Sequence, residues 1–280
     1  MADTTGLTAA PILYPDCDGQ PMTESDATRD YLLYCVEVLQ LYFKGRPNVY
    51  VSGNLFVYYE EGNPKASISP DVFVIFGASN RKRRSYKAWQ EGNKLPNFVL
   101  EITSRSTKRQ DQEEKPRLYA SLGIEEYFQY DPTADYLKPQ LQGLRLVEGT
   151  YQPLPLATNP VGLPFIHSAV LGLDLQLHPP YPELGLAPAA QALRLYDPQT
   201  GAKLLTRYEL ERLREALQEE NTLIQQERDA AQQERDAAQQ ERDAAQQERD
   251  AAQQERDAAQ QRAEALTARL RALGINPDDL

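Results

Sequence analysis

The sequence predicts a mixed α/β domain followed by one long helix, and three observations carry that expectation. Short β-branched or aromatic runs bounded by Pro, Gly, Ser and Asn read as strands, and they alternate with stretches whose apolar residues return at helical spacing. Residues 137–200 are Pro-rich and alternate apolar with polar side chains, the pattern of hairpins and loops. From residue 225 to 259 the unit Gln-Gln-Glu-Arg-Asp-Ala-Ala repeats five times without a break, and a seven-residue period is coiled-coil arithmetic.

Residues 1–25 read as a loop segment without the basic start and apolar block of a signal peptide. A helix is expected over 26–43, where Tyr31, Cys35, Val38 and Tyr42 share a stripe. Strands are expected over 49–59, 69–76, 97–104 and 126–131, with a helix over 116–122 ended by Gly123. That order gives a small mixed sheet flanked by helices. The expected division is a loop over 1–25, a folded domain over 26–202, a helix or coiled coil over 203–273 and a tail over 274–280. In the repeat, Leu210, Leu217, Ile224, Ala231, Ala238, Ala245, Ala252, Ala259, Leu266 and Leu273 hold one heptad register, but Glu227, Glu234, Glu241, Glu248 and Glu255 fall where apolar knobs belong. Gln225 and Asp229, four apart, predict a side-chain hydrogen bond recurring down the helix. Two outcomes follow: a homo-oligomer joined through the Leu-rich ends, or a solitary helix.

The chain has a formal net charge of -11, which argues against nucleic acid until the charge is placed. Residues 209–280 hold 10 Arg against 18 Asp or Glu, so most of the excess belongs to the helix. Residues 81–117 hold 11 Lys or Arg against 5 Asp or Glu. Cys17 and Cys35 lack the spacing of a disulfide framework or zinc site, and no apolar run approaches the roughly 18 residues of a membrane span. A cytoplasmic protein is expected. His167 and His178, beside Gly or Pro in the hairpin region, receive no catalytic role.

Asp71 and Glu101 each lie at an end of an apolar strand-like run. A carboxylate in a buried strand is costly unless it is paired or coordinates a cation. Two on neighbouring strands can share one hard ion such as Mg²⁺, leaving positions for phosphate and water, so the pair reads as a metal-dependent phosphodiester-cutting site. Asp71 reads equally as the residue that opens its strand at the turn after Pro70, and Glu101 as a member of an ion-pair network. Between the carboxylate runs lie Arg81, Lys82, Arg83, Arg84 and Lys87; just past Glu101 lie Arg105, Lys108 and Arg109. Such a cationic collar suits the phosphate backbone of DNA or a related polynucleotide without sequence reading. The competing reading is an ordinary solvated loop.

In order along the chain, these segments resemble the PD-(D/E)xK nuclease superfamily and more closely its Uma2 branch, bacterial proteins described as restriction endonucleases. The resemblance spans about residues 26–178. It is carried by Ser69-Pro70-Asp71-Val72, by the run from Val99-Leu100-Glu101-Ile102-Thr103-Ser104 to Thr107, and by Lys115 with Leu118-Tyr119-Ala120 and residues 122–132. It implies a restriction-endonuclease-like fold and an Mg²⁺-dependent endonuclease acting on DNA, with Asp71 and Glu101 as metal ligands. Where the superfamily places a Lys two residues after the Glu, this chain has Thr103; the Uma2 pattern points instead to Lys115 on the next helix. A first-helix acid often joins such sites, which makes Glu37 a third ligand candidate against its alternative as a rim carboxylate.

Chemistry agrees with that assignment. A metal-held phosphodiester needs a cation to orient water or face the charged oxygens, and a mobile ammonium can do so. Lys115 reads alternatively as an exposed helix cation pairing with Glu113 or Glu114. Asp111-Gln112-Glu113-Glu114 resembles a capping box that starts a helix before Lys115, while Pro116 argues against that start. Thr103 and Pro116 leave room for a second function, a catalytically inactive polynucleotide-binding or coiled-coil adaptor. Whether Lys115 reaches Asp71 and Glu101 separates the two.

Overall fold

The computed structural model describes residues 12–15, 25–180 and 190–272. Cys17, most of the expected N-terminal loop, Leu273 and the 274–280 tail lie outside them. Contacts divide the chain into one compact unit through Leu210 and a second from Glu211 onward.

In the first unit, α1 spans Asp26–Tyr42 and is capped by Ser25, whose hydroxyl accepts the Thr28 N–H. Tyr31, Cys35 and Val38 of the expected stripe are buried. The strand expected over 49–59 is two strands, β1 at Val49–Ser52 and β2 at Val57–Tyr58. The break falls at Gly53-Asn54. A Cβ on Gly53 would lie 2.1 Å from the Asp71 carbonyl oxygen, so only glycine permits this approach. Asn54, at a left-handed φ of 46°, donates its N–H to the Pro70 carbonyl. This crossing presses the chain against the residue that leads into the next central strand.

The remaining strands are β3 Ser67–Ile68, β4 Val72–Phe76, β5 Tyr86–Lys87, β6 Phe98–Ile102, β7 Glu126–Tyr130, β8 Leu141–Val147, β9 Thr150–Pro153, β10 Ala157–Thr158, β11 Pro164–Ser168, β12 Leu173–His178 and β13 Ala192–Tyr196. Six of them form the central sheet in the order β1-β4-β6-β7-β8-β9, mixed because β6 and β7 run parallel while the other pairs are antiparallel. The Pro-rich stretch thus supplies two strands of the central sheet and a second, four-stranded sheet, β10 to β13. A third sheet joins β3, β2 and β5.

Alternation sorts the core into two layers. Val72, Val74, Phe98, Leu100 and Ile102 face α1 and the apolar side of β11 to β13. Phe73, Ile75, Val99 and Tyr127 face the opposite way, against Val57, Ile68, Tyr86 and Tyr119. Asp71 and Glu101 continue the second set by their two-residue spacing and so belong to the layer containing Tyr119.

Tyr119 lies on α2, Lys115–Ser121, which follows a single π-helical turn over Gln110–Glu114. The helix begins at Lys115 rather than at 116, and the expected capping box is this π turn instead. Pro116 occupies the first turn of α2, and the Asp111 carbonyl in the preceding turn accepts from the Tyr127 and Gln129 side chains. Lys115 remains helical (φ −60°, ψ −42°) despite preceding a proline, because continuous turns on both sides override the local bias. Gly123, at φ 74°, ends the helix as expected.

The long helix α3 spans Arg207–Ala272, about 100 Å at 1.5 Å per residue. Thr206 and Glu209 form a reciprocal capping box at its start. None of its residues is buried. The recurring hydrogen bond is present in all five repeats, from Gln225–Asp229 to Gln253–Asp257, at 2.8 to 2.9 Å. Among the described residues no helix is long and apolar enough to cross a membrane.

Candidate active site

Sheet register brings the two carboxylates together. Val72 pairs with Leu100 in the antiparallel β4–β6 ladder, so Asp71 meets Glu101; Glu101 in turn pairs with Gln129 across the parallel β6–β7 ladder. Each carboxylate reaches the other strand's backbone. Ile102 donates its N–H to Asp71 Oδ2 at 2.8 Å, and the Asp71 N–H points at Glu101 Oε2 over a longer 3.4 Å.

Glu101 is fully buried, which requires that its charge be matched. The Tyr119 hydroxyl donates to Oε1 at 2.7 Å, and Lys115 Nζ lies 2.9 Å from Oε2. Lys115 therefore reaches the carboxylate pair and pairs with neither Glu113 nor Glu114. Its ammonium also lies 2.8 Å from Asp111 Oδ1. Burial works against the Lys115 charge, but Glu101, Asp111 and Asp71 outweigh it and hold the ammonium protonated above the ordinary lysine range. Asp71 is displaced the other way. Burial, then repulsion from Glu101, pushes its carboxyl well above the usual range, only partly offset by Lys115. Tyr119 is likewise raised by burial and by Glu101, so it stays a donor.

Three participants escaped the sequence reading. Asp111, only 1% exposed, falls in the expected capping box; Tyr119 and Gln129 fall in the segments that carry the family resemblance, without a role of their own. The signal for two of them was present: Asp111, Lys115 and Tyr119 are four apart, one face of a helical stretch. Gln129 is visible only through strand register. Thr103, in the position usual for lysine, is 1% exposed with a hydroxyl that has no hydrogen-bond partner.

Asp71 also borders a groove of about 540 Å³ lined by Ser25, Thr28, Arg105, Ser106, Thr107 and Tyr136, among others. Of the expected collar, Arg105 thus stands beside the site, and Lys108 and Arg109 are exposed on the turn that follows. The other part lies elsewhere. Arg81 to Arg84 follow the exit of β4 at Phe76, about 17 Å along that strand from Asp71 at ~3.4 Å per residue. Arg83 is withdrawn into the domain, its guanidinium 4.3 Å above the Tyr50 ring and 2.9 Å from Glu91. Arg81 reaches the same carboxylate at 2.6 Å. Lys87 sits 4.6 Å above the Tyr14 ring, while Lys82 and Arg84 are exposed. Glu37 pairs instead with Arg207 at 3.1 Å. His167 bonds Asp174 and His178 stacks on Tyr196, both in the second sheet.

Among the described residues, no group of three or more His, Cys, Asp or Glu side chains is placed to hold a metal. What the site offers is a pair of hard carboxylates, one of them resisting ionisation because of its burial and the repulsion of Glu101.

Residues 16–178 match the model of the Uma2 family, described as "Putative restriction endonuclease". No curated protein matches the chain. Among solved structures, the chain is similar to "a putative nuclease belonging to DUF820" from Anabaena variabilis ATCC 29413, at 16% identity over 52% of this chain and 80% of that one, with a TM-score of 0.35.

Proposed function

Because the chain belongs to the Uma2 family, whose model covers more than half of it, we propose that it is an Mg²⁺-dependent endonuclease hydrolysing phosphodiester bonds of DNA. The observation that carries this is Lys115, which comes from a separate element yet sets its ammonium 2.9 Å from Glu101 beside Asp71. An adaptor has no use for that costly arrangement of buried charge.

The residues suit a hard divalent ion. Asp71 and Glu101 would hold it, and the raised pKa of Asp71 marks a place where added positive charge is favourable. When bound, such an ion polarises the phosphate and renders a water nucleophilic. The chain's own groups do the remainder. Tyr119 fixes Glu101 by its Oε1. Lys115, held protonated, faces the charge that develops on the phosphate oxygens. Arg105 and the hydroxyls of Ser106 and Thr107 line the groove that would take the flanking backbone, with Lys108 and Arg109 extending the cationic path. Lys82, Arg84 and Lys87 would supply weaker contacts farther out. The proposed nuclease domain covers 26–202, and self-association is assigned to the helix of 203–273 through its Leu-rich ends. The reducing cytoplasm is the proposed compartment.

Cleavage of supercoiled and linear DNA and of RNA, with Mg²⁺ or with chelator, tests this. Asp71→Asn and Glu101→Gln preserve size and remove the charge, so each should abolish Mg²⁺-dependent DNA cleavage with the fold intact. Undiminished cleavage by either variant would overturn the metal assignment. DNA binding without cleavage by the unaltered protein would favour the adaptor function, for which Thr103 in place of lysine and an α3 without buried residues speak.

A further inference from the structure

We propose that Asp111 is the positioning residue for Lys115, holding its ammonium between two carboxylates so that it stays beside the reacting phosphate when Glu101 turns to a cation. This rests on the nuclease reading of the same site. Asp111 is almost fully buried, and apart from Lys115 neither of its carboxylate oxygens has a hydrogen-bond partner. A nearly buried carboxylate whose oxygens meet one cation and no other polar group is set there by that cation.

The surroundings fix Asp111 rather than neutralise it. Its backbone carbonyl accepts the Tyr127 hydroxyl at 2.8 Å and Gln129 Nε2 at 2.6 Å, tying the π turn to β7. Gln129 is itself the strand neighbour of Glu101. The two carboxylates that share Lys115 are therefore set by one piece of sheet. π-helical turns recur where a side chain must be re-aimed at a functional site, and here the turn places Asp111 one helical step before Lys115. Glu101 has committed Oε1 to Tyr119, leaving Oε2 as the oxygen that Lys115 and a divalent ion would both claim. Asp111 resolves that competition. With it, the ammonium keeps an anchor; without it, Lys115 leans on Glu101 alone.

The test uses the full-length protein with the near-isosteric Asp111→Asn. On DNA with Mg²⁺, kcat should fall about a hundredfold, the scale of a displaced catalytic group, with KM changed by less than about twofold. Without metal or DNA, acetylation of Lys115, read peptide by peptide by mass spectrometry, should accelerate severalfold relative to exposed lysines. A merely structural Asp111 would leave that rate unchanged, and an unchanged rate overturns the proposal whatever the activity. Should Asp111→Asn not fold, the double variant Asp111→Asn/Lys115→Met removes both ends of the pair and should be more stable than Lys115→Met alone; equal or lower stability counts against the proposal. An inactive wild type whose Lys115 still responds to Asp111→Asn would sink the nuclease reading and leave the positioning role standing.

Discussion

The charges gathered beside the central sheet and those along α3 both combine carboxylates with cations, yet they obey opposite rules. Beside the sheet, Asp71, Glu101, Asp111 and Lys115 are partly or wholly withdrawn from water, and each is answered by a partner from another element. On α3, Glu, Arg and Asp recur every seven residues in solvent, and each repeat joins Gln to Asp within the same helix. Burial is the difference. A charge in low dielectric is strongly coupled to whatever lies within a few ångströms, whereas one in water is screened. The charges at the sheet therefore act strongly on one another, while those on the helix act almost independently.

The largest effect that would sharpen this contrast is expected from Lys115→Met, which leaves Glu101 and Asp111 buried without their cation. It should cost about 3–5 kcal/mol of stability, measured by denaturant unfolding. The corresponding change in α3, Arg242→Met, should leave the unfolding midpoint where it is. Equal responses would erase the distinction.

Tyr119→Phe is next. The lost hydroxyl donates to a charged acceptor, so about 1.5–3 kcal/mol is expected, together with slower cleavage as Glu101 loses its fixed orientation. Full activity in this variant would show that the orientation of Glu101 does not depend on the phenol.

Asp71 should reveal itself in pH dependence. A carboxyl whose folded pKa lies above its unfolded value near 3.9 holds its proton more tightly in the folded protein. Without divalent ion, stability should fall as pH rises from about 4 through that folded pKa. Asp71→Asn removes this loss, so the variant should be the more stable of the two at neutral pH and no more stable below about pH 4. Parallel stability curves across that range would mean that burial does not strain Asp71.

The smallest effect belongs to the helix. A Gln–Asp pair of this spacing contributes about 0.2–0.5 kcal/mol in an isolated helix, and alanine is the better helix former. Gln239→Ala should thus leave the far-UV circular dichroism almost unchanged. Ending the chain after Leu210, by contrast, should lower the mass seen by light scattering if the leucine-bearing ends mediate association. An unchanged mass would assign self-association, if any, to the first unit.

Much of the arrangement was legible in local pattern. Spacing located α1, the two carboxylate strands, α2 with its Gly123 stop and the Gln–Asp ladder, because each depends on residues within a turn or a pleat of one another. Local reasoning failed where another segment imposed the geometry. The strand expected over 49–59 breaks because Gly53 must clear the Asp71 carbonyl. Arg83 belongs to a Tyr50 and Glu91 clamp that no spacing announces, and Glu37 turns to Arg207.

By itself, then, the sequence determined the mixed α/β class, the helix beyond it, the identity of Asp71 and Glu101 as the carboxylates to watch, and Lys115 as the cation to test. Only the tertiary structure decided that Lys115 meets Glu101, that Asp111, Tyr119 and Gln129 complete the site, and which basic residues border it. The reason is range. Periodicity reports which face a side chain takes, but partners for a buried charge come from strand register and from the packing of α2 on the sheet. Those contacts join residues as far apart as Asp71 and Ile102, thirty-one positions along the chain.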